Sequence, residues 1–152
     1  MSVAVNVNVT RFGPTLPGCG GFINISQNSK KAVYCGAFTT KGLEVEGRDG
    51  KLHILKEGSI EKMVDKVGQV TFSGEYARTV GQPVMYITER AVFELTEKGV
   101  MLTEVAPGID LQKDVLDRMQ FKPEVSRNLK EMDSRIFTKD IMHIKDEILA
   151  IT

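Results

Sequence analysis

The segment Leu16-Pro-Gly-Cys-Gly-Gly-Phe-Ile-Asn24 sets the tightest constraint on how this chain folds. Three glycines within four positions release the backbone into conformations that side chains forbid. The chain must turn there, and its amide N–H groups can face a bound anion or carbonyl oxygen. Before the turn, Val3, Val5, Val7 and Val9 alternate with Ala4, Asn6, Asn8 and Thr10, the period-two pattern of a strand. After it, Phe22 to Gln27 reads as a short helical turn. Lys31-Ala-Val-Tyr-Cys-Gly-Ala-Phe-Thr39 then reads as a continuous apolar strand of the kind buried on both faces in α/β proteins.

Two hairpins follow. Asp49-Gly50 separates Leu43–Glu46 from Lys51–Leu55, and Glu97-Lys98-Gly99 separates Ala91–Leu95 from Val100–Val105. Gln69–Ser73 and Pro83–Thr88 read as further strands. The period then changes. From Asp110, a natural N-cap, Leu111, Val115, Leu116 and Met119 recur at helical spacing until Pro123 forces an exit. Thr138 is placed to cap a last helix striped with Ile141, Ile144, Ile148 and Leu149, with the charges from Lys139 to Glu147 on its solvated face. With no internal repeat, low-complexity tract or linker, residues 1–152 are expected to form one α/β domain: an open, mostly parallel sheet with helices and β-hairpins.

Charge and composition remove several functions. Twenty basic residues balance twenty acidic ones, whereas a general nucleic-acid binder would carry a basic excess. No apolar run approaches the ~18 residues of a membrane span, and the start lacks the pattern of a signal peptide. Cys19 and Cys35 are therefore expected as reduced thiols in the cytoplasm. His53 and His143 stand apart from any ligand-spaced cluster, so no metal is expected.

Candidate chemistry centres on the glycine segment. Cys19 could act as a thiolate nucleophile, although no histidine is near it in sequence, and it could equally be a small residue in a tight turn. Gly18, Gly20 and Gly21 could cradle an oxyanion or phosphate, or simply turn the chain, and their spacing fits neither a Walker loop nor a dinucleotide fingerprint. Cys35 is expected in the core, His53 in a structural role, and Glu75 in a surface turn. Glu89-Arg90 reads as an exposed corner with a local ion pair of little worth.

Several motifs together carry a family likeness. Asn6-Val-Asn-Val-Thr-Arg-Phe-Gly13, Gly18-Cys-Gly-Gly-Phe-Ile-Asn-Ile25 and Phe72-Ser-Gly-Glu-Tyr-Ala77 recur in the order found in class I CoA-transferases. Ile87-Thr-Glu-Arg-Ala-Val-Phe93, Leu102-Thr-Glu-Val-Ala-Pro-Gly-Ile-Asp110 and Phe121-Lys-Pro123 continue the series. The chain resembles the acetate or propionate branch of that family, and within it the C-terminal part of the second half of fused enzymes that also act on 3-keto acids. The resemblance implies transfer of CoA from an acyl-CoA to a short-chain carboxylic acid, with an active-site glutamate passing through an acyl anhydride and a glutamyl-CoA thioester. It implies coenzyme A as substrate, no permanently bound cofactor, and a homo-oligomer. It gives Gly20 or Gly21 the role of backbone oxyanion donor, while Gly18, Cys19 and Asn24 shape the loop and the substrate side of it.

One departure accompanies the likeness. The family's catalytic glutamate lies in a Glu-Asn-Gly or Glu-Ser-Gly setting upstream of Asn6, and Glu46-Gly47 and Glu57-Gly58 do not match it. The chain is therefore expected to be inactive alone. A non-catalytic binding or assembly module of the same fold is the alternative reading.

Overall fold

The protein is described by a computed structural model covering residues 1–2 and 5–151. In chain order it forms α1 (Phe22–Asn28), β1 (Ala32–Cys35), β2 (Thr39–Thr40), β3 (Glu44–Arg48), β4 (Lys51–Lys56) and β5 (Ile60–Glu61). These are followed by α2 (Gly74–Thr79), β6 (Val84–Ile87), β7 (Ala91–Thr96), β8 (Gly99–Val105), β9 (Glu124–Glu131) and α3 (Lys145–Leu149). Five strands join in the order β1-β6-β7-β8-β9. The outer pairs, β1 with β6 and β8 with β9, are parallel, and the inner pairs are antiparallel, so the sheet is mixed.

Burial explains the layering. The central strand β7 is covered on both faces, with Phe93 fully buried among Phe38, Phe72, Leu102 and Val115. Its neighbour Val92 points the other way, into a smaller cluster with Leu52, Ala106, Met132 and Phe137. The β3–β4 hairpin supplies Leu52 to that second cluster, and its turn is the expected one. Asp49 and Gly50 both take positive φ, 53° and 74°, as a tight hairpin turn requires. The β7–β8 hairpin also closes where expected, with Thr96 opposite Gly99. Asp110 caps its helix as anticipated, accepting from the Lys113 N–H at 2.7 Å. That helix is irregular, a π turn over Leu111–Val115 followed by a 3-10 turn over Leu116–Arg118.

Other expectations are corrected. Val3 and Ala4 lie outside the described residues, and the rest of the valine-alternating segment is no regular strand. Val5 takes φ 61°, which breaks an extended run, and only isolated bridges tie Ser2 to Val64 and Val7 to Phe72. Gln69–Ser73 likewise contributes that single bridge rather than a strand. The run from Lys31 to Thr39 is split between β1 and β2, which pairs with β5 in a separate ribbon. Because β1 borders the sheet, with no strand beyond it among the described residues, Val33 and Cys35 are exposed rather than core. Thr138 is not the N-cap of the last helix; it closes a 3-10 turn over Ser134–Phe137, and its hydroxyl donates to the Arg135 carbonyl. His143 at φ 53° interrupts the helical path, so α3 begins only at Lys145 and the Ile141, Ile148 and Leu149 side chains stay exposed.

Candidate functional site

Thr71 anchors the glycine loop from a distance in sequence. Its hydroxyl accepts the Val9 N–H at 3.1 Å and lies 2.7 Å from the Thr10 hydroxyl, and the Thr10 carbonyl in turn accepts the Gly18 N–H at 3.2 Å. Two amides fix the next segment. Asn6 Oδ1 accepts the Gly74 N–H at 3.0 Å, and Gln27 Oε1 accepts the Ser73 N–H at 2.8 Å. Ser73 then caps α2 by accepting from the Tyr76 N–H at 3.2 Å. The Asn-Val-Asn-Val, glycine and Phe-Ser-Gly-Glu-Tyr motifs, distant in sequence, thus form one hydrogen-bonded unit. Glu75, on the first turn of α2, is exposed there as expected.

Within this unit the five residues singled out from sequence lie on one loop and the first turn of α1. Gly18 and Gly20 take φ of 83° and 50°, which explains the glycines at both positions, and a Cβ on either would meet nothing within 4 Å. Gly21 precedes α1 at φ −80°. Among the described residues no protein acceptor takes the N–H of Gly20 or Gly21, and both residues are exposed. Two adjacent backbone donors on exposed residues are thus left without a protein acceptor among the described residues. Cys19 is half-buried, its carbonyl accepting the Phe22 N–H at 3.0 Å. Asn24 is exposed on α1, and its carbonyl accepts from Asn28 Nδ2 at 3.0 Å. Beneath the loop, Phe22 packs on Tyr34 at 5.8 Å between ring centroids, and Tyr34 stacks on Tyr86 at 5.1 Å. Burial pushes the Tyr34 phenol up to about 12, so it stays protonated.

The Glu89-Arg90 corner differs most from expectation. The Arg90 side chain is 0% exposed. Its Nη1 and Nη2 donate to Glu57 Oε2 and Oε1 at 2.7 and 3.1 Å, its Nε to Glu89 Oε1 at 2.8 Å, and Nη1 also to the Asp114 carbonyl at 3.1 Å. The guanidinium also lies 4.9 Å from the centre of the Phe38 ring. Burial would raise the Glu57 carboxyl, but the Arg90 guanidinium, the Thr39 hydroxyl and the Gly58 N–H outweigh it and hold the pKa at about 2. Sequence adjacency revealed Glu89 alone; Glu57 is 33 residues away.

Among the described residues no group of three or more His, Cys, Asp or Glu side chains could hold a metal ion, and no helix is long and apolar enough to cross a membrane. No protein-family model matches the chain. Curated relatives do. The chain is 52% identical over 141 residues to a caffeate CoA-transferase of Acetobacterium woodii, covering 90% of this chain and 27% of that protein. It is 51% identical over 132 residues to the acetate CoA-transferase YdiF of Escherichia coli, covering 87% of this chain and 25% of that protein. Among solved structures, an acyl-CoA transferase (YdiF) of Escherichia coli O157:H7 in thioester complex with CoA superposes with a TM-score of 0.89 at 48% identity, over 91% of this chain and 27% of that one. Glutaconate CoA-transferase of Acidaminococcus fermentans, at 19% identity and a TM-score of 0.62, shares the fold. By sequence and by fold the chain is a member of the CoA-transferase family, matching about a quarter of the length of these curated relatives.

Proposed function

We propose that this chain supplies the oxyanion-binding part of a CoA-transferase active site that moves CoA between an acyl-CoA and a short-chain carboxylic acid. The carrying observation is the pair of N–H groups on the exposed Gly20 and Gly21 that no protein acceptor takes among the described residues, on a loop tied down through Thr10 and Thr71. The nucleophile in this reading is a glutamate outside the chain. Its carboxylate attacks the acyl-CoA carbonyl, the C–S bond breaks, and CoA leaves as thiolate from an acyl–glutamyl anhydride. The thiolate then attacks the glutamyl carbonyl, which expels the first acid as carboxylate and leaves a glutamyl-CoA thioester. The incoming acid reverses the two steps. Each addition places negative charge on one oxygen, and two fixed N–H donors stabilise that charge more than the neutral carbonyl it replaces.

Gly18 holds the loop's trajectory, while Cys19 and Asn24 border the substrate side without doing chemistry. Coenzyme A is a substrate here, and no cofactor is permanently bound. The relative captured as a thioester with CoA supports the covalent sequence. We assign the enzyme to the cytoplasm as a homo-oligomer; the two free thiols, Cys19 and Cys35, suit a reducing compartment.

The test is acyl-CoA/acetate exchange by this chain alone and after mixing with a polypeptide spanning the remaining length of the Escherichia coli relative. No exchange alone and recovery in the mixture is the expected result. Exchange by the isolated chain would show that the nucleophile is inside it.

A further inference from the structure

Helix α1, which follows Gly21 directly, is held more by hydrogen bonds than by packing. Of its seven residues only Ser26 is buried, and no side chain caps its first turn. Ile23 and Ile25 are 41% and 74% exposed. Its far end, by contrast, is gripped by a side chain from the loop between α2 and β6. Gln82 is only 7% exposed, and its Nε2 donates to the Ser26 and Ser29 carbonyls at 2.7 Å each while lying 3.1 Å from Ser29 Oγ. We infer that Gln82 is a positioning residue for the oxyanion loop, setting through α1 where the Gly20 and Gly21 N–H groups stand. The inference deepens the transferase reading and rests on it for the loop's part in the reaction.

The chemistry of the contact demands an amide nitrogen. Carbonyls in the last turn of a helix lack intrahelical donors, and a carbonyl can only accept. The Gln82 Oε1 meets no protein donor among the described residues, so the side chain is held through its nitrogen alone. Its root is firm. The Gln82 N–H donates to the Ala77 carbonyl at 2.8 Å, and the next carbonyl, that of Pro83, takes the Ala32 N–H of β1 at 3.0 Å. Gln82 therefore ties the loosely packed α1 to α2 and to the sheet together.

The grip reaches the loop through the helix itself. The Gly21 carbonyl accepts the Ile25 N–H at 3.0 Å, and the Cys19 carbonyl accepts the Phe22 N–H at 3.0 Å. Gly18 is moored separately, through the Thr10 carbonyl. A tilt of α1 is thus taken up between Gly18 and Phe22, where it turns the Gly20 and Gly21 donors. Hydrogen bonds weaken as their angle closes, and groups displaced by about 1 Å in an active site can cost about 10²-fold in rate.

The experiment compares wild type with Gln82→Met, which keeps an unbranched side chain and removes the donor. Val92→Ala, which loosens the second apolar cluster, is the control for a general loss of stability. In amide NMR of the 152-residue chain, Q82M should shift Gly20 and Gly21 and speed hydrogen exchange across Phe22–Asn28, with Gly18 unmoved. V92A should leave all three glycines in place. In the complemented exchange assay, Q82M should lower kcat about tenfold to 10²-fold, with the acetate KM within about twofold of wild type. Where Q82M does not fold, Gln82→Asn, which draws the amide back by one methylene, should give the same pattern. Unmoved Gly20 and Gly21 in Q82M, equal shifts in V92A, or an unaltered kcat in an active mixture would overturn the assignment. An inactive wild-type mixture would remove the transferase reading instead, and the NMR comparison would still decide whether Gln82 sets the loop.

Discussion

Arg90 holds Glu57 through two parallel hydrogen bonds while fully shielded from water, so a strand corner that reads as surface in sequence is a buried ionic hub. Removing one member of such a pair leaves an uncompensated charge in a low-dielectric setting. Glu57→Gln should destabilise the fold by about 3 kcal/mol, the lower end for a broken buried pair, because Glu89 still faces the guanidinium. Urea unfolding midpoints measure this. A loss below about 0.5 kcal/mol would mean that the pair behaves as a surface one.

The same contact sets a pH response. The folded Glu57 pKa lies near 2, below the ordinary 4.5, so its contribution is complete above the unfolded value and drains as pH falls from about 4.5 toward 2. Wild type should lose stability relative to E57Q across that window and run parallel to it above pH 6. Parallel curves throughout would show that Glu57 ionises alike in both states.

Gly21→Pro offers a clean deletion of one donor. The φ of −80° already suits proline, and the N–H it removes has no acceptor in the protein. Thermal stability should change by no more than about 1 kcal/mol. Exchange by the complemented enzyme should fall by about 10²–10³-fold in kcat. An unchanged rate would move the oxyanion site elsewhere.

Arg135 clips the tail to the body, forking to Asp133 and Glu147 while Nη1 also reaches the Met142 carbonyl at 3.3 Å. Arg135→Gln should speed proteolysis and hydrogen exchange between residues 138 and 151 and leave the global unfolding midpoint within about 0.5 kcal/mol, since the pairs are solvent-exposed. A matching fall in global stability would mean that the tail is integral to the core.

Local chemistry was legible in the sequence, and distant partnership was not. Asp49-Gly50 and Asp110 act within a few residues of themselves, so turn and cap could be read directly. The glycine loop and its neighbouring motifs were recognisable as a set. Thr71, by contrast, reads as an unremarkable residue of an expected strand until Val9 and Thr10 arrive from about sixty positions away. Arg90 looked exposed for the same reason, its main partner being invisible locally. Cys35 misled because an apolar run does not say whether its strand is central or marginal. The C-terminal stripe misled because His143 adopts a backbone angle that periodicity does not foresee.

The moorings of the glycine loop also carry a kinetic meaning. Val9 meets Thr71 across 62 positions and Asn6 meets Gly74 across 68, so the cradle cannot assemble from its own neighbourhood. Its shape follows chain closures that are among the slowest kinds to form. The loop's geometry should therefore mature late in folding, and its amides should open together when the Phe72 segment detaches rather than fray one at a time.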